Sequence, residues 1–238
     1  MNSWKSRMLH HRQLVAGTSE FTFAKPAEFE FIAGQYVIVK LPELHYPDER
    51  GPARSFTLLS APLEPELRIA TRMTGSGFKQ TLTEMRTEPI ELYGPQGEFA
   101  LRTPSNGKAI WIAGGIGITP FYSMLHDSMH QELLPQTTLI YSNRDFEHAA
   151  FHLEFTELAK HSSQWRYLPT FTDLSDDDSW PGERRLINAE FLQEIKADLV
   201  DADIYLCGPP AMVEAIKSDL SRLGISERRI FFESFLGY

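Results

Sequence analysis

The sequence predicts two domains: an antiparallel β-barrel over residues 1–104, then an α/β domain with a parallel sheet over residues 105–238. Three observations carry this. The first hundred residues alternate apolar and polar in short runs broken by Gly and Pro, the texture of an antiparallel sheet or barrel. Past the turn-rich Thr103-Pro104-Ser105-Asn106-Gly107, apolar strands alternate with helical stretches, which implies parallel strands joined by right-handed crossovers. The segment Ile110-Trp111-Ile112-Ala113-Gly114-Gly115-Ile116-Gly117-Ile118-Thr119-Pro120 reads as a buried strand, a glycine turn and a helix starting at Thr119-Pro120.

The barrel strands are expected at 20–24, 36–41, 55–59, 66–72 and 90–93, with one short helix at 78–85. Gly94-Pro95-Gln96-Gly97 reads as a turn before a last strand at 98–101. Beyond it, strands at 109–113, 137–142, 165–171, 203–206 and 229–232 are separated by helices at 119–130, 150–160, 189–196 and 211–223. Residues 174–185 read as a polar, mobile loop.

The bulk properties exclude several classes. One cysteine among 238 residues rules out a disulfide framework and an iron–sulfur cluster held by four thiolates. No apolar run is long enough to span a bilayer and no signal peptide is evident, so a cytoplasmic protein without membrane insertion is expected. A net charge of −9 argues against a nucleic-acid binder. Lys5, Arg7, His10, His11 and Arg12 concentrate basic charge near the start, which suits an acidic protein partner or simply a solvated surface. His148 and His152 lie four apart without an evident third ligand, so no metal site is expected.

The chemistry-bearing segments follow from helix and strand physics. Glycines at 114, 115 and 117 allow close backbone approach to a diphosphate, and the following helix turns its positive end to the anion. Thr74-Gly75-Ser76-Gly77-Phe78-Lys79 is a second strand-to-helix junction suited to an anion. Arg54-Ser55-Phe56-Thr57 closes a β-like run after Gly51-Pro52, and Cys207-Gly208-Pro209-Pro210 ends a strand at the ligand edge of the parallel sheet. The chain finishes Phe232-Glu233-Ser234-Phe235-Leu236-Gly237-Tyr238.

Taken in order, these segments resemble the ferredoxin–NADP reductase superfamily over nearly the whole chain. They match its flavin motif Arg-x-Tyr/Phe-Ser/Thr, its Gly-Gly-x-Gly-x-Thr-Pro turn, its Cys-Gly-Pro-Pro and its aromatic tail. The resemblance implies an FAD-binding barrel, a domain for NADPH or NADH, and hydride transfer from nicotinamide to flavin. It implies an acceptor in turn: a separate ferredoxin, flavodoxin or oxygenase component, or else free flavin or a quinone. A non-catalytic flavin-holding subunit is the alternative of a different class.

The resemblance also implies roles. Arg54 pairs with the flavin diphosphate through fixed, permanently charged donors. Ser55 corresponds to the hydroxyl near flavin N5, Phe56 packs on the ring system without the hydroxyl of Tyr, and Thr57 completes the motif. Thr71 and Arg72 lend backbone groups to the ring, and Ser76, Gly77, Phe78 and Lys79 close over the diphosphate, with Lys79 either adding charge or facing solvent. Gly114, Gly115, Gly117, Thr119 and Pro120 take the nucleotide, with Cys207, Gly208 and Pro209 beside the nicotinamide. Cys207 acts there by packing and positioning, since a low-pKa thiol needs a cationic neighbour. Glu233 orients the nicotinamide and relays protons, and Tyr238 stacks on the flavin face as a gate. Ser142 and Arg144 suit a 2′-phosphate while Asp145 opposes it, which favours NADPH and leaves NADH open; Arg184 and Arg185 either assist or solubilise.

Overall fold

Residues 2–86, 88–104, 106–175 and 179–235 are described by the computed structural model. Chain contacts divide it into two units: residues up to Leu101 together with Thr119–His130, and Arg102–Ile118 together with residues from Gln131 on.

The first unit is built on β1 (Ser3–Val15), β2 (Thr18–Ala24), β3 (Tyr36–Lys40), β4 (Ala53–Thr57), β5 (Glu66–Arg72) and β6 (Pro89–Gln96), with helix α1 (Gly77–Glu84) between the last two. The strands form an antiparallel six-stranded sheet in the order β4-β3-β6-β1-β2-β5, and the end strands β4 and β5 approach each other to curl it into a barrel. Period-two alternation sends Phe21 and Phe23, Val37 and Val39, Leu67 and Ile69, and Ile90 and Leu92 into one core. Phe78 and Leu82 of α1 plug it, both fully buried.

Two expectations need correction. β1 is thirteen residues long and central in the sheet, where composition pointed only to a basic segment. Of its run from Lys5 to Arg12 only Ser6 and Met8 are buried, so the apolar signal of a strand is missing. Ladders to β2 and β6 on its two edges hold it instead. Second, 94–97 is not a turn before another strand: β6 runs through Gly94 and Pro95 to Gln96, which pairs with Tyr36, and 97–100 has no strand. There Phe99 leaves the sheet to pack edge-on against Phe121, with ring centroids 5.7 Å apart.

Phe121 belongs to α2 (Thr119–His130), which packs with this unit. Ser123 Oγ donates to the carbonyl of Ser60 at 2.7 Å with both residues fully buried, and the Arg68 guanidinium lies 5.7 Å above the Tyr122 ring.

The second unit carries β7 (Lys108–Gly114), β8 (Gln136–Asn143), β9 (Trp165–Phe171), β10 (Asp203–Gly208) and β11 (Ile230–Ser234), all parallel in the order β11-β10-β7-β8-β9. Helices α3 (His152–His161), α4 (Ala189–Glu194), α5 (Lys196–Leu199) and α6 (Pro210–Arg222) connect them, with the expected helix at 189–196 broken at Ile195. Ile110, Ile112, Ile140, Ile204 and Leu206 lie in the core beside Val213, Ile216 and Leu220 of α6. The chain builds outward from β7 through β8 to β9, then returns to β7's other edge with β10. That reversal makes the carboxyl ends of β7 and β10 the topological switch point, where doubly wound sheets bind ligands.

Gly114 and Gly117 make this junction tight. A Cβ on Gly117 would sit 2.6 Å from the carbonyl carbon of Cys207 and 2.7 Å from Gly208 Cα, both backbone atoms that cannot yield. Gly117→Ala is therefore expected to destabilise the fold by about 1–3 kcal/mol, the range for overpacking. Urea unfolding reads it, and an unchanged midpoint means the two loops have slack.

Candidate functional site

In the first unit the chemistry gathers where β4, β5 and α1 meet. β4 alternates: Arg54 and Phe56 face inward and are buried, whereas Ser55 is exposed. Phe56 packs on Phe78 with ring centroids 5.9 Å apart, and the Arg54 guanidinium lies 5.3 Å above the Phe78 ring. Thr57 shares Ser55's side of the strand but is buried, so this face offers two hydroxyls. Arg54 serves four acceptors. Its Nη1 donates to the carbonyls of Arg50 and Gly51 at 2.9 Å and of Ala53 at 2.7 Å, and its Nη2 pairs with Asp48.

Helix α1 starts under a local cap, since Ser76 Oγ accepts the Lys79 N–H at 3.3 Å. A Cβ on Gly77 would fall 2.5 Å from the Tyr46 carbonyl oxygen, so only glycine fits. Lys79 does not face solvent: it is 5 % exposed, and its Nζ donates to the Arg72 carbonyl at 2.7 Å and to Thr74 Oγ1 at 3.3 Å. Burial first, then the charges of Arg54, Arg50 and Arg72, lower its pKa to about 8. Thr71 is buried and Arg72 exposed at the end of β5. Four cations thus act on one helix start against the single carboxylate of Asp48.

In the second unit three neighbouring strand ends line up. Cys207 pairs in register with Ala113 on one side and Glu233 on the other, so Gly114, Gly208 and Ser234 form the rim. Beyond β7 the turn Gly115–Ile118 coils tightly and runs into α2 at Thr119-Pro120. Gly115 adopts φ 52°, a left-handed conformation suited to glycine, and its carbonyl accepts from the buried Tyr141 hydroxyl at 3.1 Å. Gly208 crosses Gly114 closely, and the Phe235 N–H closes onto the Gly208 carbonyl at 3.1 Å. Pro209 then leads into α6.

Glu233 is the unusual group here. Its Oε2 is buried without a hydrogen-bond partner among the described residues, and burial raises its pKa to about 7. Cys207 is fully buried, and burial together with the Glu233 charge pushes its thiol well above the ordinary value. This thiol is no nucleophile. Thiol reagents are expected to leave native Cys207 unlabelled and to modify it in urea; rapid native labelling would contradict this.

At the end of β8, Ser142 is half-buried and Arg144 exposed. Asp145 is already occupied: it accepts the His148 N–H at 3.0 Å and meets His148 Nδ1 at 2.6 Å, while Arg144 Nη2 approaches His148 Nε2 at 2.6 Å. Arg185 is committed as well, paired with Glu183 and Glu194. The described part of 174–185 is anchored rather than free. Phe171 N–H and Trp180 Nε1 both donate to the Glu183 carbonyl, and Trp180 packs on Phe146 and Phe171. Tyr238 lies outside the described residues.

Sequence reasoning missed Asp48 and the Asp145–His148 pair. The first left a signal, because Asp48-Glu49-Arg50-Gly51 places Asp and Gly at the ends of a turn. No helix among the described residues is long and apolar enough to cross a membrane.

Residues 111–218 match the family model for the oxidoreductase NAD-binding domain. The flavohemoprotein of Bacillus subtilis is 32 % identical over 214 residues, covering 87 % of this chain and 52 % of that protein. The electron transfer component of 2-halobenzoate 1,2-dioxygenase from Burkholderia cepacia is 30 % identical over 231 residues, covering 92 % and 64 %. The chain therefore spans between half and two thirds of the length of these curated relatives. Among solved structures, a ferredoxin NADP+ reductase from Neisseria gonorrhoeae with bound FAD and NADP superposes with a TM-score of 0.79 at 20 % identity, covering 98 % of each chain. Both units thus take the fold of that reductase, and the segment matched by the family model lies in the second unit apart from α2. Residues 111–218 thus match an oxidoreductase NAD-binding domain, and the chain as a whole is similar to ferredoxin–NADP reductase-like FAD- and NAD-binding oxidoreductases.

Proposed function

We propose that this chain is an FAD-dependent NAD(P)H reductase that passes electrons to a separate acceptor: a ferredoxin, a flavodoxin or an oxygenase component. The observation that carries the reading is the alignment of Ala113, Cys207 and Glu233, one residue short of the Gly114 rim, at the carboxyl ends of three adjacent parallel strands, with an unpartnered carboxylate oxygen among them. Relatives named as reductase or electron transfer components of phenol 2-monooxygenase and anthranilate 1,2-dioxygenase support the choice of acceptor.

Residues 1–104 would hold FAD and residues 105–238 the nicotinamide nucleotide. Flavin, when bound, supplies the capacity to accept hydride at N5 and to release electrons afterwards. The chain does the rest. Arg54 and the backbone of Ser76–Lys79 would bind the diphosphate, into a cationic cluster that one carboxylate does not neutralise. Ser55 and Thr57 would offer hydroxyls to the ring system, Thr71 and Arg72 their backbone, and Phe56 would brace it from the core side. Gly114, Gly115, Gly117, Thr119 and Pro120 would cradle the nucleotide phosphates. Cys207, Gly208 and Pro209 would position the nicotinamide, Glu233 would hold or release a proton at Oε2, and Tyr238 would cover the flavin face. Ser142 and Arg144 favour NADPH, since Asp145 is drawn off by His148. A free buried thiol fits work in the cytoplasm.

Anaerobic stopped-flow mixing with NADPH or NADH tests the reading. Flavin absorbance is expected to bleach and to recover on adding a ferredoxin or flavodoxin. Recovery with only free flavin or quinone would assign a small-molecule acceptor, and no bleaching would leave a non-catalytic flavin carrier.

A further inference from the structure

The anion site of the first unit already contains an anion, and the chain itself supplies it. Asp48 Oδ2 accepts the Phe78 N–H at the start of α1 at 2.9 Å; its Oδ1 accepts the Arg50 N–H at 3.0 Å and pairs with Arg54. The Asp48 side chain is only 6 % exposed. The segment carrying it, residues 42–52, lies across α1 as a strap. The carbonyls of Tyr46 and Pro47 fill the space above Gly77, and the His45 N–H donates to Thr81 Oγ1 at 3.0 Å. At the far end, His45 Nδ1 reaches Glu84 Oε2 at 3.2 Å and the Tyr46 hydroxyl donates to Glu84 Oε1.

Asp48 uses the donors that a diphosphate would need. Arg54 Nη1 is spent on three carbonyls, and Nη2 is on Asp48. The Phe78 N–H is on Asp48 too. The Phe78 N–H has a single hydrogen, so a phosphate oxygen can take it only once Asp48 leaves. The charge balance favours exchange. One carboxylate faces Arg50, Arg54, Arg72 and the buried Lys79, whereas a diphosphate brings two negative charges.

We propose that Asp48 is an internal stand-in for the flavin diphosphate, and that cofactor loading requires the strap at 42–52 to swing away and lift Asp48 off Arg54 and the α1 N-terminus. The proposal rests on the reading of this unit as the FAD site. Asp48 offsets one positive charge of the cluster until a diphosphate displaces it, and it gates uptake. A flavin without phosphates gains nothing from displacing it.

Flavin-stripped protein mixed with FAD, followed by flavin fluorescence, tests this directly, with riboflavin as the phosphate-free probe. Asp48→Asn is expected to take up FAD about tenfold faster and more tightly, the scale of one charge-assisted hydrogen bond, with riboflavin unaffected. Glu84→Gln releases the other end of the strap and is expected to speed FAD uptake without touching the anion site, which keeps the proposal testable if Asp48→Asn does not fold. Inorganic pyrophosphate is expected to slow uptake in both. Wild-type rates in both variants, or weaker FAD binding by Asp48→Asn, would overturn the proposal while leaving the FAD site standing, since Asp48 would then brace Arg54 in the loaded protein. Failure of every form, wild type included, to bind FAD would overturn the site assignment as well.

Discussion

Arg54→Ala is expected to purify with little flavin and, once stripped of cofactor, to be about 3–5 kcal/mol less stable than the parent protein, the cost of breaking a buried ion pair from one side. Arg54 is 8 % exposed and serves four acceptors: Asp48 and the carbonyls of Arg50, Gly51 and Ala53. Its removal leaves Asp48 buried against α1 without its cation. The Phe78 ring also loses the guanidinium stacked above it. Arg54→Lys restores charge but not the planar fork, so it should recover part of the stability and less of the flavin. Urea unfolding and the flavin-to-protein absorbance ratio read the two effects separately. Full flavin occupancy in Arg54→Ala would remove Arg54 from the diphosphate site.

Glu233→Gln is expected to stabilise the protein above neutral pH by up to about 3 kcal/mol and to change little at pH 5. Burial raises the folded-state pKa of Glu233 to about 7 from an ordinary 4.5. Between those values the folded protein holds a proton that the unfolded chain has released. Stability therefore falls as pH rises through this window, and the full penalty is present above pH 7. Glutamine carries no charge to desolvate, so the variant should lack this slope. Parallel stability profiles for the two proteins from pH 5 to 8 would show that Glu233 titrates normally. The same substitution removes the proton that Glu233 would hold beside the nicotinamide. A loss of turnover together with a gain in stability at pH 8 would mark a group strained for function rather than for folding.

Much of the second unit is legible in the chain because its strands are buried on both faces. Apolar runs such as 109–113 and 203–206, punctuated by Gly and Pro, leave little room for another reading, and the observed strands lie within a few residues of expectation. The first unit is less transparent. β1 is held by ladders on both edges while only two of its thirteen residues are buried, so hydrophobicity does not announce it. Gly94 and Pro95 read as a turn from their types alone, yet β6 passes straight through them.

Residue types and spacing by themselves determined the order of the two folds and the positions of the glycine turn, the Arg54 strand, the α1 start and the Cys207 strand end. Each is a local consequence of backbone conformation or of apolar periodicity, which neighbours in the chain suffice to express. Only tertiary structure decided which charges meet. That Asp48 sits on Arg54 and the α1 N-terminus, that Lys79 is buried among arginines, and that Glu233 lies beside Cys207 all depend on long-range packing. The physical reason is that charge–charge energies and desolvation depend on distance and burial in space, and separation along the chain specifies neither.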